Sequence, residues 1–322
     1  MSHKLWTAQQ NKLVNITPIT GDITWRSSTE ELGQQLDFSL ANNDTKLFPK
    51  NTVDVGNLIV LKREEELFRG IVVTENKRGR EPIVYSGLDV AFYLNKSKSF
   101  YQFNKVPADK AIRKILTDFR VPIGNIAKMP TIIKEIFPNE SPAEIIKKII
   151  DQTQKDQGRK YRMEMRLGKF YIDRQTDLLV KGQFKLASNL KPWDVKHSIS
   201  GPSRTRSIEE MKNSIQIVNE NKVVATLEDN QLIRQYGLLQ EVVEVQDKNI
   251  SQARNIAKNM LKDLGKVLEE VSLEMLGDDR VRAGRLIEIE EPVTGLKGRY
   301  LIQSVTHSLK NGIHRMALDL EG

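Results

Sequence analysis

Two stretches of this chain, 228 residues apart, read nearly alike: VDVGNLIVLKR from Val53 to Arg63 and VRAGRLIEIEE from Val281 to Glu291. In each, a glycine precedes an alternating apolar run, Gly56-Asn-Leu-Ile-Val-Leu and Gly284-Arg-Leu-Ile-Glu-Ile. The separation is far too long for a short solenoid period, so the repeated unit is domain-sized. The segments after the two glycines keep the same order. After Gly56 come a strand, a turn, LFRGIVV, a turn carrying Gly79, and EPIVYSGLD. After Gly284 come a strand, a turn, GRYLIQSV, a turn carrying Gly312, and HRMALDL, so that Asp89 and Asp319 close the two series. The reading is of one small β unit used twice.

The first unit is β throughout. QLDFSL puts Leu36, Phe38 and Leu40 on one face, the period-two mark of a half-buried strand. Three apolar runs joined by polar turns then read as an antiparallel meander that curls into a small barrel, with Gly56 and Gly70 placed to let it bend. After about residue 95 the period changes. PADKAIRKILTDFR carries Ile112, Ile115, Leu116 and Phe119 at helical spacing. SPAEIIKKIIDQTQ has Ser141 as N-cap, Pro142 at the first helical position and Glu144 completing a capping box. KYRMEMRLGKFYIDRQ reads as a hairpin turning at Gly168-Lys169. A second hairpin turns at Asn219 to Lys222, GLLQEVVEV is a strand, and one helix spans about residues 251–264 with Gly265 at its end. The fold class is therefore α+β, mainly β: a first β-barrel domain over 1–96, an α+β domain with two helices and a hairpin over 97–188, and a second β-barrel domain over 189–322. A chain holding two such units gains six of them as a trimer, and threefold symmetry then matches a sixfold partner.

Composition narrows the chemistry. No cysteine is present, which removes disulfides, thiolate metal sites and cysteine nucleophiles together. The 50 Lys and Arg outnumber the 42 Asp and Glu, but the two signs are mixed along the chain, the pattern of a solvated surface rather than a clustered nucleic-acid footprint. No window approaches the roughly 20 apolar residues that cross a bilayer, and no signal h-region opens the chain. The expectation is cytoplasmic synthesis and folding.

In the stretches VDVGNLIVLKREEELFRGIV, YSGLDVAFYLNKSKSFYQF, RSIEEMKNSIQI, IRQYGLLQEVVEV and GLKGRYLIQSVTHSLKNGIHRMALDL, collinear from about Asp54 to Leu320, the chain resembles a known family. That family is the XkdQ/YqbQ-type baseplate hub proteins of PBSX-like prophages and contractile phage tails. The resemblance implies a homotrimeric phage tail hub fold. Its two barrels make a pseudo-sixfold ring between tail tube protein and central spike protein, with the tape-measure protein and other baseplate subunits as neighbours and DNA only as cargo. It implies assembly in the bacterial cytoplasm, then residence in the baseplate of the virion or tail particle, and no catalytic residue or cofactor.

Other chemistry competes with plainer readings of the same residues. The histidines are His3, His197, His307 and His314. A two-residue Asn311-Gly312 turn sets His307 opposite Met316 and His314 opposite Leu309, so the two rings are diagonal neighbours. Two imidazoles with no third ligand nearby are too few for a usual zinc site, and the preferred reading is two polar-tipped rings on a half-exposed hairpin, with no metal. Ser304, His307 and Asp319 can be drawn as a triad, but no strained G-x-S-x-G elbow accompanies them. The LGDD stretch from Leu276 to Asp279 could supply carboxylates for a cation, but between two strand candidates it reads as a turn, and Glu64 to Glu66 with Glu288, Glu290 and Glu291 read as solvated strand edges. Arg204 and Arg206 precede a capping-box pattern, Ser207 with Glu210, a helix start that suits an anion, although a basic interdomain loop is preferred. Together with Arg78 and Arg80 in NKRGRE they are the candidate partner-contact residues. The rival functions are an OB-like nucleic-acid module, for which Phe92 to Phe103 is the sole aromatic-basic cluster, and a tail-associated cell-wall hydrolase.

Overall fold

The computed structural model describes residues 3–9, 12–42, 48, 51–185, 199–220, 222–245, 253–291 and 294–322. The first seven strands are β1 (Lys4–Gln9), β2 (Lys12–Asn15), β3 (Thr20–Ser28), β4 (Gln34–Leu40), β5 (Leu58–Lys62), β6 (Glu66–Asn76) and β7 (Ile83–Asp89). They lie side by side as β3-β4-β7-β6-β5-β1-β2, every neighbour antiparallel. The expected alternation holds: Leu36, Phe38 and Leu40 of β4 point inward with Ile59, Leu61, Val72, Ile83 and Tyr85. Burial of each such side chain contributes roughly 1.5–3 kcal/mol, which is what selects this register over a one-residue slip.

The middle block begins earlier than its periodicity suggests. A short helix, α1 (Ala91–Lys96), follows β7 directly, and Asp89 accepts the Ala91 N–H with Oδ1. Then come β8 (Ser99–Pro107), α2 (Ala108–Asp118), β9 (Ile123–Ile126), β10 (Ile132–Glu140), α3 (Pro142–Gln157), β11 (Tyr161–Arg166) and β12 (Lys169–Arg174). Helix α3 starts where the capping box places it. The Ser141 hydroxyl accepts the Glu144 N–H at 3.2 Å, and the Glu144 carboxylate accepts the Ser141 N–H at 2.8 Å. Ile145, Ile146, Ile149 and Ile150 form its buried stripe, packed with Ala111, Ile112, Ile115 and Leu116 of α2. The β11–β12 hairpin turns one residue earlier than its sequence suggests, at Leu167-Gly168, because Arg166 pairs with Lys169.

The last third holds β13 (Leu179–Lys185), β14 (Ile199–Ser207), β15 (Ser214–Asn219), β16 (Lys222–Glu228), α4 (Asn230–Tyr236), β17 (Gln240–Glu244), α5 (Ala253–Leu264), β18 (Leu268–Leu276), β19 (Leu286–Glu291), β20 (Leu296–Lys310) and β21 (Ile313–Glu321). The repeat is physical, and it is longer than three strands. The path β3-β4-β7-β6-β5 recurs as β14-β18-β21-β20-β19, with the same antiparallel pairings. The Gly56 N–H donates to Val72 O at 2.7 Å while Val72 N–H donates to Asn57 O; Gly284 donates to Ile302 O at 2.7 Å while Ile302 donates to Arg285 O. Both glycines adopt positive φ, 86° and 78°, which a side chain would disfavour. Both units carry a bulge one residue on, between Val72 and Thr74 and between Ile302 and Ser304. Interior positions coincide: Val53 with Val281, Ile59 with Ile287, Leu36 with Val271, Phe38 with Leu273, Tyr85 with Leu318.

The register corrects one detail. Asp319 occupies the place of Ser86, since Ser304 pairs with Asp319 as Thr74 pairs with Ser86, so Asp89 and Asp319 are not equivalents. The units also differ at two joints. β1 runs antiparallel to β5, whereas β13 runs parallel to β19. The short connection from β3 to β4 is replaced, between β14 and β18, by an insertion with its own small core of Ile215, Ile217, Val245, Ile256 and Ala257.

Candidate functional site

The two β units are not separate bodies strung on a linker; they share one sheet, 13-stranded among the described residues. Strand β20 is long enough to carry two neighbours on the same edge. Its first half pairs with β19, and its second half with β3 of the first unit, in the register Ser304↔Ser28, Val305↔Ser27, Thr306↔Arg26, His307↔Trp25, Ser308↔Thr24 and Leu309↔Ile23. Where the bulge at Gln303 frees a carbonyl, it accepts the Thr29 N–H at 2.8 Å.

Aromatic rings seal the joint. Trp25 is buried and stacks on His307 with ring centroids 4.8 Å apart and planes at 5°. His314 and His3 lie against the same indole at 5.0 and 5.5 Å. The turn at Asn311-Gly312 sets His307 opposite Met316 and His314 opposite Leu309, in agreement with the spacing. Their environment differs from the half-exposed hairpin expected: His307 is 2% exposed. Its Nε2 lies 2.9 Å from Val281 O and its Nδ1 3.0 Å from His314 Nε2. Burial lowers the His307 pKa to about 4, against the weaker pull of the Val281 bond.

Sequence spacing weighs the LGDD carboxylates for a cation but does not bring them, or His3, to the two hairpin histidines. His3 Nε2 sits 2.9 Å from Asp279 Oδ1, and Arg63 Nη1 3.1 Å from Asp279 Oδ2. Burial would raise the Asp279 carboxyl, but the hydrogen bond and charge of His3, with Arg63 and His314, bring it down to about 2. Leu276 closes β18, and the turn expected here falls at Asp279-Arg280, where the Val281 N–H donates to Asp278 O at 3.0 Å; only Asp278 of the acidic pair is spent locally, on Arg280 at 2.5 Å. His3, Asp279 and His314 offer three ligand atoms within 4.8 Å of one another. His197 lies outside the described residues.

A buried charge network fastens the joint to the middle block. Arg162 of β11 donates to Ser28 O at 2.7 Å and Thr29 O at 3.1 Å. Arg285 reaches Glu164 at 2.8 Å. Burial lowers the Arg162 pKa to about 10, only partly countered by the charge of Glu164. For Glu164 the balance falls the other way: burial would raise it, and Arg285, Arg282 and Arg166 outweigh that, so it stays ionised.

The remaining sequence candidates are dispersed. Arg78 and Arg80 sit on the exposed β6–β7 loop. Arg204 and Arg206 do not flank a helix: β14 runs through Ser207, whose hydroxyl accepts the Glu209 N–H in a turn. Alternation of Arg with Ser and Thr suits a strand once β18 supplies Glu269 as partner, 2.7 Å from Arg204 and 3.9 Å from Arg206. Arg204 and Arg206 thus share one carboxylate, far along the sequence from Arg78 and Arg80. The drawn triad is not assembled, since Ser304 donates to Asp319 at 2.6 Å while both His307 nitrogens are engaged elsewhere. The aromatic-basic cluster is split: Tyr101 and Phe103 face the core, and Tyr93 and Phe100 face outward. A cleft beside α1 and α3 contains Asp89, but both carboxylate oxygens of Asp89 are held by backbone N–H groups. Among the described residues, no helix is long and apolar enough to cross a membrane.

The family described as YQBQ-like matches residues 23–321. The YqbQ protein of Bacillus subtilis (strain 168) is 29% identical over 276 residues, 84% of this chain and 82% of that one. The phage-like element PBSX protein XkdQ of the same strain is 27% identical over 293 residues, 89% of this chain and 84% of its own length. Among solved structures, the 43 kDa tail protein of prophage MuSo2 from Shewanella oneidensis shares the fold, with a TM-score of 0.74 at 13% identity over 99% of this chain and 98% of that one.

Proposed function

Because the chain belongs to the YQBQ-like family, we propose that it is the structural hub of a contractile tail's baseplate, a ring of three copies that adapts a sixfold tail tube to a threefold spike. The likeness to a phage-like element protein and to the fold of a prophage tail protein supports the setting. The observation that carries the ring is the β3–β20 joint. Inside one chain, the edge strand of unit one is docked on the long strand of unit two. By the register of the repeat, β14 is the counterpart of β3 and β6 the counterpart of β20. Among the described residues β14 ends the sheet, and Thr74 to Asn76 of β6 pair only with β7 on their other side. Repeating the internal joint between copies sets Ser207 against Thr74, Arg206 against Glu75 and Thr205 against Asn76 of the next chain. Three such joints and three internal ones close a ring of six units. Arg206 and Glu75 then meet as opposite charges, which gives the basic strand a role that needs no nucleic acid. No reaction is assigned to the protein; its work is geometric, and its neighbours are tube, spike, tape-measure and other baseplate proteins.

The test uses the absence of cysteine. Thr74→Cys with Ser207→Cys places thiols at directly opposed positions, within disulfide reach. Mild oxidation of the full chain, alone and with its tube and spike neighbours, is expected to yield a covalent closed trimer. The offset pair Thr74→Cys with Ser203→Cys should not bridge. Mass photometry reads the copy number independently. Three-copy rings without bridging would remove this register and leave the hub; no three-copy species under any condition would remove the hub.

A further inference from the structure

Proton bookkeeping at the joint leaves one atom with nothing to bind. The Val281 carbonyl can only accept, so the His307 Nε2 facing it carries that ring's proton. With that proton on Nε2, the Nδ1 of the same ring accepts, and His314 Nε2, 3.0 Å away, donates to it. A neutral imidazole has one N–H. His314 Nδ1 is therefore bare, and it is buried with no hydrogen-bond partner among the described residues. It faces Asp279 Oδ1 at 3.6 Å, too far for a hydrogen bond. Two electron-rich atoms aimed at each other repel unless a cation lies between them.

We infer that His3 Nε2, Asp279 Oδ1 and His314 Nδ1 bind one transition-metal dication of the zinc class. The His3 and His314 side chains are 5% and 10% exposed and Asp279 16%, so the donors converge from buried bases. Two imidazoles and a carboxylate, without thiolate, suit Zn²⁺, Co²⁺ or Ni²⁺ better than Ca²⁺ or Mg²⁺. Three protein ligands leave the fourth tetrahedral position to water. Arg63 holds the outer oxygen of Asp279 and so orients the inner one. Binding displaces the proton that His3 otherwise donates to Asp279. The metal clamps three segments at once: the residue ahead of β1, the turn after β18, and the start of β21. It is thus a pin across the joint between the units, and it does not depend on the hub reading.

Full-length protein stripped with chelator is titrated with Co²⁺ alone at neutral pH, following the visible absorption of a four-coordinate ion, and then with Zn²⁺ in competition. The expected result is one equivalent per chain, displaced by Zn²⁺, with a Tm raised by several degrees at saturation and restored by EDTA. His3→Gln keeps a donor for Asp279, and His314→Gln keeps a donor for His307; each should fold and weaken Co²⁺ by more than about tenfold. Absence of the absorption with an unmoved Tm would overturn the site. So would a titration unchanged in the His3→Gln/His314→Gln double variant, which would locate the metal elsewhere.

Discussion

At the scale of single residues, burial decides the protonation of two groups in opposite senses. Asp89, at the end of β7, gives Oδ2 to the Gln34 N–H at 2.7 Å and Oδ1 to the Ala91 N–H at 2.9 Å. Burial nevertheless raises its pKa to about 7, outweighing those bonds and the charge of Arg282. An acid raised on folding costs stability as pH climbs, because the unfolded chain releases its proton near 4 and the folded chain only near 7. His307 works in the opposite sense: its folded pKa of about 4 means stability is lost as pH falls from about 6.5 toward 4. The two slopes oppose each other in the wild type. Asp89→Asn removes one of them, so the variant-minus-wild-type stability, from denaturant melts, should rise between pH 4 and 7 and level off above. A flat difference would mean that Asp89 titrates normally. Residue pairing was legible in sequence only where a short turn dictated it. The Asn311-Gly312 turn told which way His307 and His314 face, but nothing local joins His3 to Asp279, 276 positions away.

At the scale of elements, the repeated glycine turn allows a controlled comparison. Gly56 and Gly284 share a conformation and the same ladder bonds, yet their surroundings differ. A Cβ at Gly56 meets nothing within 4 Å, whereas one at Gly284 would overlap Cδ and Nε of Arg162. Arg162 is itself tied to the Ser28 and Thr29 carbonyls and cannot step aside cheaply. Gly56→Ala should therefore cost about 1 kcal/mol from backbone strain alone, and Gly284→Ala about 3 kcal/mol once overpacking is added. Urea midpoints at constant slope would read the difference; equal losses would refute the Arg162 contact. The capping box of α3 and the β5–β6–β7 meander were plain in the sequence because their signals are local and their periods long. Helix α1 and strand β14 were not. Six residues are too few for a helical period to declare itself, and β14 became a strand through Glu269 and Val271 of β18, not through its own propensity.

For the whole molecule, the organising fact is that one sheet passes through both units. Trp25 is the side chain on which that continuity rests, enclosed by His307, His314 and His3. Trp25→Ala should cost about 3–5 kcal/mol and split a merged calorimetric transition into two, with the first unit melting separately. A single transition shifted as one would place the coupling in the Arg162 network instead. The duplication could be seen in the sequence, because matching glycines and runs survive low identity. The fusion could not, since TWRSS and SVTHSL carry no mark of being partners.

The β3–β20 ladder has a mechanical consequence. Six opposed pairs, from Ser304↔Ser28 to Leu309↔Ile23, hold the units together with bonds perpendicular to the strands. A force directed along the strands loads all of those bonds at once, while a force that peels one strand sideways breaks them in succession. The molecule is therefore stiff toward thrust in one direction and yields like a zip in the other, a directional strength set by how the sheet is drawn.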